Sequence, residues 1–276
     1  MTGRRRALRL GAVLALLAGA ACALSPAEAR GDAAWARRAE GFAERGRVAP
    51  GPAAEAVAAY EEAYQADGPS PRLAGKLVDA LWFRGHFALA DGAGARPLFD
   101  RAVEVAEAAV ARAVATGDAA GECEARFWAA IAWGVWGMER GYFASGLKGV
   151  AGRIRDHAER AAALDETWAA GGPRRLLGRL HTVTPKLPLF TGWIDPTKGI
   201  ASLERAVAIS TADPRNELFL AEALLDHAPA RRAEALDLLA RVAARAPDPA
   251  ERVEQSETIA AARARLAREW KGAPTP

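Results

Sequence analysis

The chain has little cysteine and little histidine, and both shortages exclude classes of site. Its 276 residues include only Cys22 and Cys123. Because Cys22 lies in a leader that is either removed or modified, no intrachain disulfide is expected. Cys123 should then be a free thiol, buried as a small apolar residue beside Phe127. The four histidines are scattered without metal-ligand spacing, so no metal site is predicted.

Strand patterns and enzyme signatures are also absent from the sequence. No segment alternates β-branched and polar residues, whereas helical periodicity recurs from residue 32 to about residue 271, which predicts an all-α fold. There is no His-Glu-x-x-His, no Gly-x-Ser-x-Gly and no phosphate-binding loop. Neither an enzyme nor a cofactor is therefore predicted. With 51% hydrophobic and 26% charged residues, the chain has the composition of a packed globular protein.

The first residues are typical of an export signal. Four arginines, at positions 4, 5, 6 and 9, precede the apolar residues 10–21, a stretch too short for a comfortable membrane span. Two processing sites compete. Ala27-Glu28-Ala29 fits ordinary cleavage before Arg30, which gives a signal segment of residues 1–29 and a single domain of residues 30–276. Alternatively, Gly19-Ala20-Ala21-Cys22 resembles a lipobox, with Gly19 in place of the usual aliphatic residue, and would make Cys22 a lipidated terminus. We expect the protein to leave the cytoplasm in either case.

The positive charge of the chain belongs largely to this leader. The formal net charge is +3, and the segment 1–29 carries the four arginines against a single acid, Glu28. The remainder is therefore close to neutral, with both signs interspersed along its helices. Because nucleic-acid binding requires a basic surface, it is not expected.

Proline and glycine divide the helical patterns into five pairs and a final helix. The prediction is a helical-repeat solenoid with a C-terminal capping helix and a long loop at residues 182–195. The predicted helices are 33–45 with 53–67, 71–91 with 96–115, 119–147 with 152–164, a helix from about 173 with 196–210, 216–226 with 231–246, and 250–270.

Two second helices carry a pattern that resembles tetratricopeptide (TPR) repeats. In those repeats alanine, an aromatic residue or leucine, and a small residue are followed by a terminating proline. The corresponding residues here are Ala56, Tyr60, Ala63 and Pro69, and later Ala235, Leu239, Val242 and Pro247. Short side chains allow neighbouring helices to approach closely, which is the physical basis of such stacks.

The segment FWAAIAWGVWGMERGYF, residues 127–143, is the densest aromatic part of the chain. It is apolar nearly all round, which is typical of a central buried helix. Gly134, Gly137 and Gly141 share one side and predict the close approach of a neighbouring helix or a ligand. The alternative to simple burial is a pocket or an oligomer seam lined by Trp133 and Trp136, in which Arg140 would bind a carboxylate.

The predicted loop combines prolines with large apolar side chains. A loop of this length is often functional, and Leu187, Leu189, Phe190, Trp193 and Ile194 require it to pack on the helices or against another chain. His181, at its start, is more often a structural residue than a catalytic one, and Lys186 is expected to be solvated.

Several motifs together resemble the T-component family of TRAP transporters, a family of TPR-like periplasmic lipoproteins. They are the leader, the tryptophan-rich helix and three short segments. These segments are LGRLH (177–181) with TPK (184–186), FTGW (190–193), and NELFLAEALL (216–225). The resemblance implies a homo-oligomer, often a trimer, that docks a partner solute-binding protein and holds a small organic ligand. It implies contact with the membrane only through a lipid anchor. Candidate ligand-binding residues, chosen by chemistry, are Trp128, Trp133, Trp136, Arg140, Tyr142, His181, Lys186 and Trp193.

A second hypothesis remains open at this point. A generic periplasmic helical-repeat adaptor, which binds a peptide or protein in its concave groove, needs the repeat pattern alone. Such a groove should carry polar side chains on the first helices of several repeats, whereas a ligand-relay subunit should have a cavity near the tryptophans.

Overall fold

The computed structural model describes residues 24–43, 46–89 and 92–271, and their regular structure is entirely helical. This confirms the predicted fold class. The leader up to residue 23, including Cys22, lies outside the described residues. Eleven α-helices follow one another in the described part of the chain: α1 (Pro26–Ala36), α2 (Pro50–Asp67), α3 (Pro71–Phe83), α4 (Gly92–Thr116), α5 (Ala119–Leu147), α6 (Val150–Asp165), α7 (Trp168–Val183), α8 (Pro196–Ile209), α9 (Pro214–His227), α10 (Arg232–Ala243) and α11 (Arg252–Lys271).

The helices pack as five consecutive pairs, α1 with α2 through α9 with α10, and α11 covers the last pair. The first helices of successive pairs also pack on one another, from α3 to α5, α7, α9 and α11. Among the described residues, the second helices do not pack along each other in this way. A stack whose units touch on one side and spread apart on the other is curved. The first helices therefore form an inner arc, and the second helices form the outer one.

The two ends of this curved stack meet. Val253 of α11 packs in one apolar cluster with Val48, Phe83 and Phe87 from the N-terminal part of the chain. Beside this cluster, Nε of Arg38 donates to Oε1 of Glu254 at 3.0 Å. These contacts bring the last helix of the stack against its N-terminal part.

The positions of the TPR-like pattern form the seams between helices. Ala56, Tyr60 and Ala63 of α2 are at most 1% exposed. Ala235, Leu239 and Val242 of α10 are completely buried. One large core lies around α2, α3 and α4, and a second lies around α8 to α11. The short side chains predicted to allow close packing therefore do so in both halves of the stack.

Side-chain caps and prolines fix where many helices begin. Ser25, Ser70, Asp118, Asp195 and Asp213 each accept a hydrogen bond from a backbone N–H in the first turn that follows. Proline occupies an early position in most of these helices, where it has no backbone hydrogen bond to lose. Asp195 and Pro196 start α8 as the sequence predicts.

The first pair differs most from the predicted boundaries. Helix α1 runs from Pro26 to Ala36 rather than over 33–45, and so includes residues 26–29 of the predicted signal segment. Ser25 caps it and Pro26 follows directly, whereas past Ala36 only isolated turns continue. The predicted helix 71–91 is also shorter, because α3 ends at Phe83 and a π-helical turn, Arg84–Ala88, follows it.

Helix α5 has the predicted bounds, 119–147, with a kink at Gly141. Its glycine side admits a neighbouring helix, since a Cβ at Gly137 would lie 3.1 Å from Val150 of α6. No helix in the described ranges is long and apolar enough to span a bilayer. Helix α7 extends to Val183, so the long loop comprises residues 184–195.

Candidate functional site

A cavity of about 230 Å³ opens on the inner arc between the first helices of three successive pairs. Its walls are mixed, with two indoles, a phenol and five charged side chains. The lining residues are Asp32 and Trp35 of α1, Tyr60 of α2, Arg72, Gly75, Lys76 and Asp79 of α3, and Glu124 and Trp128 of α5. Gly75 is required there, because a Cβ at this position would lie only 2.6 Å from Nε1 of Trp128.

Both cations of the cavity are neutralised by acids of α1. Arg72 binds both carboxylate oxygens of Glu28, with Nη2 at 2.8 Å from Oε2. Nζ of Lys76 bridges Glu28 at 2.8 Å and Asp32 at 2.6 Å. Glu28 is 2% exposed, and the hydrogen bond from Arg72 lowers the pKa of its carboxyl against the opposing effect of burial. The hydroxyl of Tyr60 donates to Asp32 at 2.8 Å.

Two further acids of the cavity lack such partners. Across the described ranges, no donor lies within hydrogen-bond distance of the carboxylates of Asp79 and Glu124. Burial raises the pKa of Glu124. Burial, followed by the negative charge of Glu254, raises the pKa of Asp79 to about 7. Asp79 is half-buried and lines the cavity.

A second polar cluster, further along the inner arc, is fully paired. Arg175 of α7 is 5% exposed and binds Asp213 at 3.0 Å and Asn216 at 2.8 Å. Burial lowers the pKa of Arg175 to about 10. Burial acts to raise the pKa of Asp213, but Arg175 and Arg215 outweigh it and the net shift is downward. Asn216 also donates to three backbone carbonyls. This cluster joins α7 to α9 and leaves no free polar group for a ligand.

Three of the predicted ligand residues lie elsewhere, between α4, α5 and α6. Trp133 and Trp136 are each 8% exposed, and their ring centroids are 5.7 Å apart. Nε1 of Trp133 donates to Glu107 at 2.7 Å, and Nε1 of Trp136 donates to Asp100 at 2.8 Å. Arg140 covers Trp136 at 4.4 Å and forms an ion pair with Asp100 at 2.7 Å. Both indole N–H groups are thus satisfied within the protein and Arg140 is paired with Asp100, although Nη1 of Arg140 is buried without a hydrogen-bond partner among the described residues.

Trp128 is the predicted site residue that lines the inner-arc cavity. It faces α3, whereas Trp133 and Trp136 face α4 and α6, so one straight helix cannot bring all three to a common ligand. The side chain of Tyr142 lies outside the described part of the structure. Cys123 is a buried free thiol, as expected, and burial raises its pKa to about 11.

The remaining predicted residues belong to the 184–195 loop and its borders. His181 is 8% exposed, and its Nδ1 accepts from the backbone N–H of Asp195 at 3.1 Å, which joins the two ends of the loop. Burial lowers the pKa of His181. Trp193 packs edge-on against His181 at 5.5 Å and is covered by Arg155 at 4.4 Å. Lys186 is exposed.

Thr191 holds the tip of this loop in one conformation. Its hydroxyl accepts from the N–H of Leu187 at 2.8 Å and donates to the carbonyl of Pro185 at 2.6 Å. The loop patch, which we define as Leu187, Leu189 and Phe190, is nevertheless 41%, 91% and 52% exposed, respectively. The ring of Phe190 lies over Gly146, and the next residue, Leu147, is itself 68% exposed. The loop therefore packs on α5 and still presents an apolar surface.

The acids and histidines of the described residues form no group of three or more able to hold a metal ion. No protein-family model matches the chain, and no curated protein is similar to it. Among solved structures, the chain is similar to a thermophilic TPR protein from Thermus thermophilus, with a TM-score of 0.53 and 18% identity. The similarity covers 80% of this chain and 91% of that one. The fold is TPR-like.

Neither the inner-arc cavity nor its unpaired acids were anticipated from the sequence. Asp79 and Glu124 each lie in a helix without any motif around them, and an acid on a helix is usually solvated. They come together only because the fold places α1, α3 and α5 around one cavity. The weak sequence signal was Gly75, a glycine in the interior of a strongly amphipathic helix, which indicates close approach of another group.

Proposed function

We propose that the protein is a periplasmic TPR-like scaffold that serves as an auxiliary subunit of a TRAP-type solute transporter. In this role it docks a partner solute-binding protein. The fold supports an interaction scaffold in general terms, because TPR-like stacks use their extended surfaces to bind other proteins. The motifs that resemble the T-component family support the specific partner.

The observation that carries the docking proposal is the exposed, ordered loop patch. Soluble proteins rarely expose adjacent large apolar side chains without a partner. Thr191 fixes the loop before any partner binds, so docking would cost little ordering entropy. A partner that covers Leu189 and Phe190 would bury the most exposed apolar side chain of the described chain together with an aromatic ring.

The test begins by asking whether genes for a solute-binding protein and a membrane permease lie beside this chain's gene. If both are present, that solute-binding protein is the partner to be purified. We expect the purified pair to bind in isothermal titration calorimetry. Leu189→Ser and Phe190→Ser should each weaken binding about tenfold, because central apolar contacts contribute roughly 1–2 kcal/mol or more. Val114→Ser, which changes a valine that is 51% exposed on α4, is the matched control. Equal binding by all of these proteins would refute docking at the patch.

Lipid anchoring at Cys22 is part of this proposal, and the contacts of α1 favour it over cleavage before Arg30. Cleavage at Arg30 would remove the cap Ser25, the buried Ala27 and the buried Glu28 that neutralises Arg72 and Lys76. Processing at Cys22 retains all of them. Cys22→Ser followed by cell fractionation tests the anchor, since unchanged membrane association would contradict lipidation.

We also propose that the subunit assembles as a homo-oligomer, with a trimer as the expected state. Native mass spectrometry of the mature protein measures this directly. A monomer at micromolar concentration would refute the assembly and leave the docking proposal intact, because docking requires only the loop patch of one subunit.

The generic adaptor remains the second candidate, and one observation favours it. Polar residues of three first helices, Asp32, Lys76, Asp79 and Glu124, do face the inner arc as a peptide groove would require. Against it, a cavity of about 230 Å³ is small for an extended peptide. Binding of peptides that compete with the solute-binding protein would favour the adaptor.

A further inference from the structure

We propose that the inner-arc cavity binds a small organic ammonium ion, with the charged nitrogen at Asp79 and Glu124 and the apolar part against Trp128 and Trp35. This inference is independent of the docking partner and of the loop patch. It assigns a ligand class to a cavity that the sequence did not indicate.

The charge balance of the cavity selects a cation. Its lining carries three carboxylates and two cations, and both cations already bind Glu28 or Asp32. An anionic ligand would have to displace one of these ion pairs and would also approach Asp79 and Glu124. A cationic ligand meets two carboxylates to which the described part of the chain offers no hydrogen-bond donor. A charge-assisted hydrogen bond from an ammonium group to such a carboxylate is about twice as strong as a neutral one.

The aromatic walls suit an organic cation better than a metal ion. The lining offers two indoles and the phenol of Tyr60, and aromatic faces attract ammonium groups through their quadrupole. Arg38 already covers one face of Trp35 at 4.4 Å. Trp128, which is half-buried and pressed against α3 at Gly75, is the indole available to a ligand. A bare divalent cation would require more oxygen ligands than these two acids supply.

The volume of the cavity limits the size of the ligand that it can hold. About 230 Å³ is below the roughly 300–1,000 Å³ typical of sites for drug-sized molecules. It therefore suits a compact amine or quaternary ammonium compound rather than a long polyamine or a peptide. Both acids are half-buried, and a less polar surrounding than bulk water strengthens their interaction with a cation.

The test compares choline with 3,3-dimethyl-1-butanol, which has the same shape and no charge. We expect choline or tetramethylammonium to bind the purified protein in calorimetry and to change its tryptophan fluorescence, whereas the neutral compound should not. Asp79→Asn and Glu124→Gln keep the side-chain shape and should each weaken binding about tenfold, as expected for loss of a charged partner. Asp237→Asn, on the exposed side of α10, removes the same charge elsewhere and is the control.

Binding should also depend on pH. A bound cation favours the ionised form of Asp79, so affinity should rise as the pH increases through about 7 in the unchanged protein and not in Asp79→Asn. The charged groups that act on the pKa of Asp79 are Glu254, Glu251, Arg38 and Arg215, and Glu124 and Lys76 line the same cavity. None of these is altered by the substitution, so the difference between the two proteins isolates Asp79.

Three results would overturn the proposal. They are the absence of binding by any ammonium compound at millimolar concentration, equal binding of choline and its neutral analogue, and unchanged binding in both acid variants. Circular dichroism establishes that each variant is folded. If Glu124→Gln fails to fold, Asp79→Asn still decides the matter, because removing an unpaired carboxylate should not destabilise the chain.

Discussion

Nε of Arg38 lies 3.0 Å from Oε1 of Glu254, and this ion pair joins the two ends of the helix stack. The side chains are 12% and 10% exposed, and the second carboxylate oxygen of Glu254 is buried without a hydrogen-bond partner. Arg38 also donates to the carbonyl of Ala250 and stacks on Trp35. Arg38 thus adds a polar contact to the apolar cluster of Val48, Phe83, Phe87 and Val253 where the two ends meet.

Replacing Arg38 should weaken the contact between the two ends of the helix stack. Arg38→Ala leaves the carboxylate of Glu254 buried and unpaired, so we expect a loss of roughly 3–5 kcal/mol in the free energy of unfolding. Denaturant unfolding measures the loss. Glu257→Gln changes the neighbouring pair with His86, whose side chains are 42% and 54% exposed, and should cost less than about 1 kcal/mol. Similar losses in the two variants would show that Arg38 has no special role in closure.

The unpaired carboxylate of Asp79 should make stability depend on pH. Its pKa is raised to about 7 in the folded state, so the stability associated with its protonated form is present at low pH and is lost as the pH rises through about 7. Asp79→Asn avoids this loss. We expect the variant and the parent to be equally stable near pH 4, and the variant to be more stable by roughly 2–4 kcal/mol above pH 8.

This comparison needs unfolding curves of both proteins at several pH values. Other groups titrate alike in the two proteins, so their effects cancel in the difference. A difference that stays constant from pH 4 to pH 8 would mean that Asp79 is ionised throughout, and that its carboxylate has a partner in solution.

The start of the folded domain can be tested by comparing two purified chains, 23–276 and 30–276. The shorter chain lacks the Ser25 cap and the ion pairs of Glu28. Because Arg72 is 51% exposed and can be solvated once its partner is lost, the cost of losing Glu28 is moderate. We expect the shorter chain to be less stable by about 2–4 kcal/mol in all. Equal melting temperatures would remove the argument against cleavage before Arg30.

The architecture could be predicted from the sequence because its signals are local. Pro71, Pro196 and Pro214 follow capping residues and start helices, and short side chains such as Ala56 and Ala235 mark the seams. The first helix was placed too late, since Ser25 and Pro26 were assigned to the leader.

The candidate site could not be predicted in the same way. Trp133 and Trp136 looked like ligand residues, but only the packed positions of α4 and α6 show that Glu107 and Asp100 occupy their N–H groups. Closure of the stack by Arg38 and Glu254 joins residues 216 positions apart, and no local pattern encodes it. Glu254, which acts on the pKa of Asp79, is likewise distant from it in sequence.

The roles of the tryptophans can be separated by single substitutions. Trp136→Phe removes the hydrogen bond to Asp100 and should cost about 1 kcal/mol of stability, without effect on ligand binding in the inner arc. Trp128→Phe should cost less stability, because the N–H of Trp128 has no partner among the described residues, and should weaken binding of an ammonium compound. The reverse pattern would place the ligand beside Trp136.

The conformation of the 184–195 loop should depend on the hydroxyl of Thr191. Thr191→Val keeps the shape of the side chain but removes both of its hydrogen bonds, to the N–H of Leu187 and to the carbonyl of Pro185. Because Thr191 is 7% exposed, the two backbone groups would lose a partner in a largely water-excluded place. We expect faster hydrogen exchange at residues 187–194, measured by mass spectrometry, while exchange in α7 and α8 changes little.

Thr191→Val also tests whether a partner requires the conformation of the loop patch or only its apolar side chains. It leaves Leu187, Leu189 and Phe190 in place, so a partner that needs only their apolar surface would bind it normally. If the partner requires the ordered patch, binding should weaken because the loop must be ordered again on association, at about 1 kcal/mol or more for each residue fixed. Unchanged binding together with faster exchange would show that the apolar side chains, and not the conformation held by Thr191, determine docking.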